Sequence, residues 1–190
     1  NISEDTPELE NAVAIIGMAC RYPGHSTNPA AFWDLLKNGV DGVEDLGDKR
    51  WSLDEYYDPD PAAPGKVYSR WGGLIDDIDL FDNDFFGIAP IEATSMDPQQ
   101  RLLLETSWEA IEYAGYSPAS FSGNLGGVFV GAGPNEYGQQ AMTLADPALI
   151  NAYLGTGNSL SIAAGRISYV LGWQGPCAAV DTACSSSLVS

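Results

Sequence analysis

Positive charge is scarce in this chain. Eight Lys and Arg side chains stand against 26 Asp and Glu, for a net charge of −18. Phosphate backbones are held by clusters of Lys and Arg that release counterions, so nucleic acid is excluded as a partner. Histidine is nearly missing, with His25 the only one. The three cysteines, Cys20, Cys177 and Cys184, form no CxxC pair, which leaves too few ligands for a zinc site and too few thiols for a disulfide framework. Each cysteine is then either a small buried hydrophobe or a reactive thiol. No apolar run approaches the roughly 20 residues of a transmembrane helix, so no membrane partner is expected. The opening stretch, "NISEDTPELENA", is acidic and polar where a signal peptide is basic and then apolar. The expected location is the cytoplasm.

What is present suits a folded domain, since hydrophobic residues make up 45% of the chain and aromatics 11%. Thirteen of the 26 acids lie between Asp41 and Asp84 and read as a solvated acidic face. "DPDPAAPG" within that stretch lacks the glycine and the terminal glutamate of a calcium loop.

"AVAIIGMA", residues 12–19, is nearly continuously apolar and predicts a strand covered on both faces, with Gly17 allowing close packing. "NPAAFWDLLKNG" predicts a helix capped by Asn28, started by Pro29 and stopped by Gly39, with Phe32, Leu35 and Leu36 on one face. Residues 40–88 lack periodicity, yet Trp51, Trp71, Phe81, Phe85 and Phe86 call for burial, so an ordered excursion on the domain surface is expected. "DPQQRLLLETSWEAIEYAG" is the clearest helix. Asp97 caps it, Pro98 sits in the first turn, Leu104, Trp108 and Ile111 share a face, and Gly115 ends it.

"GGVFVGAG", residues 126–133, predicts a buried strand ending in glycines; Gly131 and Gly133 followed by Pro134 miss the G-x-G-x-x-G spacing of a dinucleotide site. "SLSIAAGRISYVLG" predicts a helix over 159–172, with Ile162, Ile167, Tyr169 and Val170 among its apolar positions. "CAAVDTA" predicts a last buried strand. Strands alternating with helices indicate an α/β layered fold with a mixed or parallel sheet.

Cys184 stands where that last strand gives way to "CSSSLVS", a stretch able to begin a helix. At such a corner the first backbone N–H groups lack intrahelical partners and are expected to face the side chain, favouring the nucleophilic thiolate. Ala183, Ser185 and Ser186 are small and leave room for an acyl group, and the cysteine's own N–H can sit beside a developing oxyanion. The residues alone leave two readings open, an acyl-accepting cysteine and a buried structural one.

"DTACSSSL" resembles the active-site motif of β-ketoacyl synthases, the condensing enzymes of fatty acid and polyketide assembly. "VAIIGMACRYPG" (13–24), "MDPQQRLLLETSWEAIEYAG" (96–115), "GVFVG" (127–131) and "GRISYVLGWQGP" (165–176) resemble the same family, in its order. The excursion, with "YYDPDPAAPGK" and "FDNDFFGI", resembles the ketosynthase domains of modular type I polyketide synthases.

The resemblance implies a thiolase-like αβαβα sandwich, of which this chain is the N-terminal half: a polar lead-in over 1–10, then 11–190, truncated just after the nucleophile. It assigns Cys184 as the acceptor of an acyl chain, held as a thioester. In the complete domain a decarboxylated malonyl-type extender then condenses with it to give a β-ketoacyl thioester. No cofactor is implied, since substrates arrive on the phosphopantetheine arm of an acyl carrier protein. Further implied partners are adjoining acyltransferase and other synthase domains, and a second copy in a homodimer. The family's two histidines lie C-terminal to the cysteine and are not among these 190 residues, so the piece alone is expected to be inactive in condensation. His25 reads as a surface-loop residue, Cys20 and Cys177 as packing, and Asp181 as a turn hydrogen-bonder rather than an acid or base. The rival readings are a non-elongating or decarboxylating ketosynthase, and a non-catalytic acyl-binding or scaffolding domain of a megasynthase.

Overall fold

The computed structural model describes residues 12–143 and 150–190; the lead-in expected over 1–10 lies outside them. In chain order the elements are α1 (Pro29–Lys37), β1 (Glu44–Asp45), α2 (Leu53–Tyr56), β2 (Trp71–Gly72), α3 (Pro90–Ser95), α4 (Pro98–Tyr113), a 3-10 turn (Pro118–Phe121), β3 (Val128–Gly131), α5 (Glu136–Thr143), α6 (Tyr153–Asn158), α7 (Leu160–Leu171), β4 (Cys177–Val180) and α8 (Ser186–Val189).

The predicted helix ends hold. Asn28 Oδ1 accepts the Ala31 N–H at 2.9 Å and Asp97 Oδ1 accepts the Gln99 N–H at 2.7 Å, each supplying a partner for an otherwise orphaned donor of the first turn. Gly39 and Gly115 follow the C-caps of α1 and α4 with φ of 63° and 80°, and Gly172 caps α7 at 66°.

β3 and β4 pair in parallel, Val128 opposite Cys177 through Gly131 opposite Val180. Because side chains alternate across a strand, Val128 and Val130 face one side and Phe129 and Gly131 the other. The first side is the core, where both valines meet Leu104 of α4 and Ala164, Ile167 and Leu171 of α7. Ala163 and Ala164, 3% and 0% exposed, bring α7 close to the sheet, and burying a side chain such as Ile167 contributes about 1.5–3 kcal/mol. α8 rests on the opposite side of β3 at Gly131, completing a helix–sheet–helix layering.

Several expectations are corrected. Residues 12–19 run without a strand partner among the described residues, and Val13 and Ile15 are 93% and 81% exposed. A strand is fixed by a ladder of hydrogen bonds, and no described segment offers this one a ladder. Gly17 nevertheless packs closely as predicted: a Cβ there would lie 2.0 Å from the Ala110 carbonyl oxygen of α4. On α7, Tyr169 is exposed because it stands about 200° around the helix from Ile167, away from the buried stripe. Leu36 of α1 is exposed as well.

The excursion is ordered, with β1 and β2 as a short antiparallel ladder and Leu53 fully buried. Arg70 braces it, ion-pairing with Asp45 and Asp54. Its aromatics divide. Phe81 and Phe86 stack at 5.3 Å and pack on the core, and Phe85 meets Trp108 edge-on at 4.9 Å. Trp51, Trp71 and Phe85 remain substantially exposed, against the expectation of burial. The last strand stops at Val180, three residues short of the predicted run, and Cys177 at its start is exposed rather than packed.

Candidate active site

Between β4 and α8, residues 181–185 reverse the chain, and Ala183 takes φ of +58°. Only His25 and Asp77 share a positive φ among the described non-glycine residues. An alanine in the left-handed region costs roughly 1–2 kcal/mol, so surrounding bonds must hold it there. They do so from both sides. Asp181 Oδ1 accepts the Ala183 N–H at 3.0 Å. The Ala183 carbonyl accepts the Ser186 hydroxyl at 2.6 Å and the Ser186 N–H at 3.1 Å. Ser186 is 6% exposed, and its Oγ also accepts the Thr182 N–H at 2.9 Å. Ser185 Oγ closes the outer edge, donating to the Thr182 carbonyl at 2.9 Å.

Gly131 makes room for this corner. A Cβ on it would lie 2.7 Å from the Ser186 carbonyl carbon and the Ser187 nitrogen. Gly131, at the end of β3, therefore serves a close approach of two backbones.

Cys184 sits at the apex, exposed to solvent. Among the described residues no side chain hydrogen-bonds its sulfur, and its backbone is joined to Thr182 by an isolated bridge. The expected cradle of helix amides around the sulfur is thus not formed by Ser186, whose N–H turns to the Ala183 carbonyl, nor by Leu188 or Val189, whose N–H groups go to the Ser185 carbonyl. What the corner offers chemically is an exposed thiol on a cross-braced turn.

The remaining candidates separate from this corner. Asp181 makes the turn hydrogen bond expected of it. His25 lies in an exposed loop, its Nδ1 2.8 Å from Asp76 Oδ2. Cys20 is half-buried beside the Arg21–Glu109 fork, and burial pushes its thiol pKa up. A cleft of about 1200 Å³ is lined by residues including Arg50, Trp51, Arg101 and Tyr137 and by none of residues 181–186. Among the described residues no cluster of His, Cys, Asp and Glu is arranged to hold a metal, and no helix is long and apolar enough to cross a membrane.

Two features escape the sequence reading. One is Ser186, read there only as a small neighbour. The other is a buried polar knot in which Arg166 Nε donates to Gln100 Oε1 at 2.8 Å and ion-pairs with Glu92 at 2.6 Å. Gln100 Nε2 donates on to the carbonyls of Thr156 and Ser159. The knot ties α3, α4 and α7 together.

The family model of the beta-ketoacyl synthase N-terminal domain matches residues 10–190. The chain belongs to the beta-ketoacyl synthase family. Over 179 residues it is 50% identical to the phenolphthiocerol synthesis polyketide synthase type I Pks15/1 of Mycobacterium bovis (strain ATCC BAA-935 / AF2122/97), an alignment covering 94% of this chain and 8% of that protein. It is 50% identical over 182 residues to pikromycin polyketide synthase component PikAII of Streptomyces venezuelae, covering 95% of this chain and 5% of that protein. The solved oxazolomycin ketosynthase domain OzmH KS7 of Streptomyces albus JA3453 matches with a TM-score of 0.82 at 41% identity, over 92% of this chain and 30% of that one. The chain thus spans less than a tenth of the length of these two polyketide synthases. Its ketosynthase fold is the N-terminal half of the thiolase-like αβαβα sandwich, and the β3–β4 pair between α4/α7 and α8 is its helix–sheet–helix part.

Proposed function

We propose that Cys184 is the acyl-accepting nucleophile of a polyketide synthase ketosynthase. The observation that carries this reading is an exposed cysteine set directly after a left-handed, cross-braced alanine at the end of a parallel strand. The sulfur attacks the carbonyl carbon of an acyl thioester carried on the phosphopantetheine arm of an acyl carrier protein. A new C–S bond forms, charge passes through the carbonyl oxygen, and the pantetheine thiol departs with the proton that Cys184 gave up. The Cys184 N–H is the natural donor to that oxygen.

In the complete domain a malonyl-type extender loses carbon dioxide, and the resulting carbanion attacks the Cys184 thioester. The cysteine sulfur is released, and the product is a β-ketoacyl chain two backbone carbons longer. Nothing in residues 12–143 or 150–190 supplies a histidine for that second half, because His25 is engaged with Asp76. The partners this reading names are an acyl carrier protein, adjoining synthase domains and a second copy of the domain. The test is Cys184→Ala in the complete synthase, followed by intact-protein mass spectrometry after exposure to an acyl-carrier thioester. Acyl loading at the ketosynthase is expected to vanish; normal loading on the variant refutes the assignment.

A further inference from the structure

We infer that Asp181 and Ser186 are positioning residues which fix the peptide plane between Ala183 and Cys184, and with it the direction of the Cys184 N–H. The inference rests on the reading of Cys184 as the acyl acceptor. A residue's φ and ψ are the rotations of the two amide planes that flank it. At Ala183 both planes are held: the leading one through its N–H by Asp181 Oδ1, the trailing one through its carbonyl by the Ser186 hydroxyl and N–H. Released, an alanine favours negative φ, a rotation of about 120° from its present value. Such a rotation would swing both the Cys184 side chain and its amide.

The second consequence concerns the oxyanion. In a trans peptide the carbonyl and the following N–H point in opposite directions. The bonds that draw the Ala183 carbonyl toward Ser186 therefore aim the Cys184 N–H away from α8. A donor preset for charge that develops only during reaction acts on the rate of the chemical step more than on substrate affinity. Ser186 suits this task because it is buried and joined at the same time to Thr182 and Ala183, so its hydroxyl has little freedom to rotate away. Asp181 is exposed, and its contribution here is an acceptor oxygen rather than a proton.

The experiment compares Asp181→Ala, Asp181→Asn, Ser186→Ala and Cys184→Ala in the complete synthase. Acyl loading at the ketosynthase is followed by quenched-flow mass spectrometry at several carrier-thioester concentrations and pH values. Asp181→Ala and Ser186→Ala are expected to lower the maximal loading rate by about 10- to 100-fold, with KM changing less than about threefold. Asp181→Asn keeps the Oδ1 acceptor and should restore the rate and the wild-type pH profile. If Asp181→Asn is as slow as Asp181→Ala, the charge or proton of Asp181 is what matters and the inference is wrong. Wild-type rates in Asp181→Ala overturn it equally, and that exposed site puts folding at little risk. Retained loading in Cys184→Ala sinks the underlying reading instead, so the two failures are told apart.

Discussion

Replacing Gly131 by alanine tests whether the approach of β3 to α8 sets the corner that bears Cys184. The added Cβ would stand 2.7 Å from the Ser186 carbonyl carbon, 2.7 Å from the Ser187 nitrogen and 2.8 Å from the Ser186 oxygen. All three are backbone atoms, so no flexible side chain can swing aside. Ordinary contact begins at 3.4 Å, and one backbone must retreat by about 0.7 Å. On the strand side, retreat is opposed by the ladder that pairs Gly131 with Val180 and by the buried Val130. The corner and α8 must then move. Overpacking of this kind costs about 1–3 kcal/mol. A displacement approaching 1 Å at a reacting group lowers rates by as much as about 100-fold.

Gly133→Ala is the matched control. It lies two residues on, has no atom within 4 Å of where a Cβ would stand, and has no positive φ. Its expected effect is within about 0.5 kcal/mol. The assay pairs urea unfolding of the ketosynthase domain in each variant with the acyl-loading rate. If Gly131→Ala unfolds and loads like Gly133→Ala, the corner does not depend on this approach and the reasoning fails.

Two further outcomes follow from burial. Iodoacetamide near neutral pH should label Cys184 and Cys177 before Cys20, because the first two are exposed while burial raises the Cys20 thiol pKa; peptide mass spectrometry showing Cys20 labelled first contradicts this. Glu105 has its pKa raised above the ordinary 4.5, chiefly by burial, so the folded chain holds its proton more tightly than the unfolded chain does. Stability from this group is therefore greatest below pH 4.5 and is lost as pH rises through the raised folded value. Glu105→Gln should then unfold at higher urea than the parent at neutral pH, with the gain shrinking toward pH 4.5; a gain independent of pH counts against a titrating carboxylate.

Local chemistry made the helices legible. Asn28, Pro29, Asp97 and Pro98 are residue types whose side chains or rings suit one helix position, and they occupy it. The apolar run at 12–19 forms no strand for a physical reason: composition reports that a segment prefers burial, whereas a strand also needs a partner with free backbone groups. On α7 the helix stands where the pattern places it, its buried stripe is drawn by Ala163, Ala164, Ile167 and Leu171, and the apolar Tyr169 lies outside that stripe.

The site divides along the same line. Strand, thiol and small residues in succession leave Cys184 with two readings, and it is the resemblance of "DTACSSSL" to the active-site motif of β-ketoacyl synthases that singles it out. The brace around it has no such signal. Alanine is disfavoured at positive φ, so nothing about the residue type at 183 announces a left-handed turn. Once that turn is in place, Asp181 and Ser186 change meaning, from polar residues beside a cysteine to two anchors of the neighbouring backbone. Their hydrogen bonds hold both amide planes of Ala183 in that conformation at once. Each half of the corner is ordinary in sequence; the closed pair is a property of three dimensions.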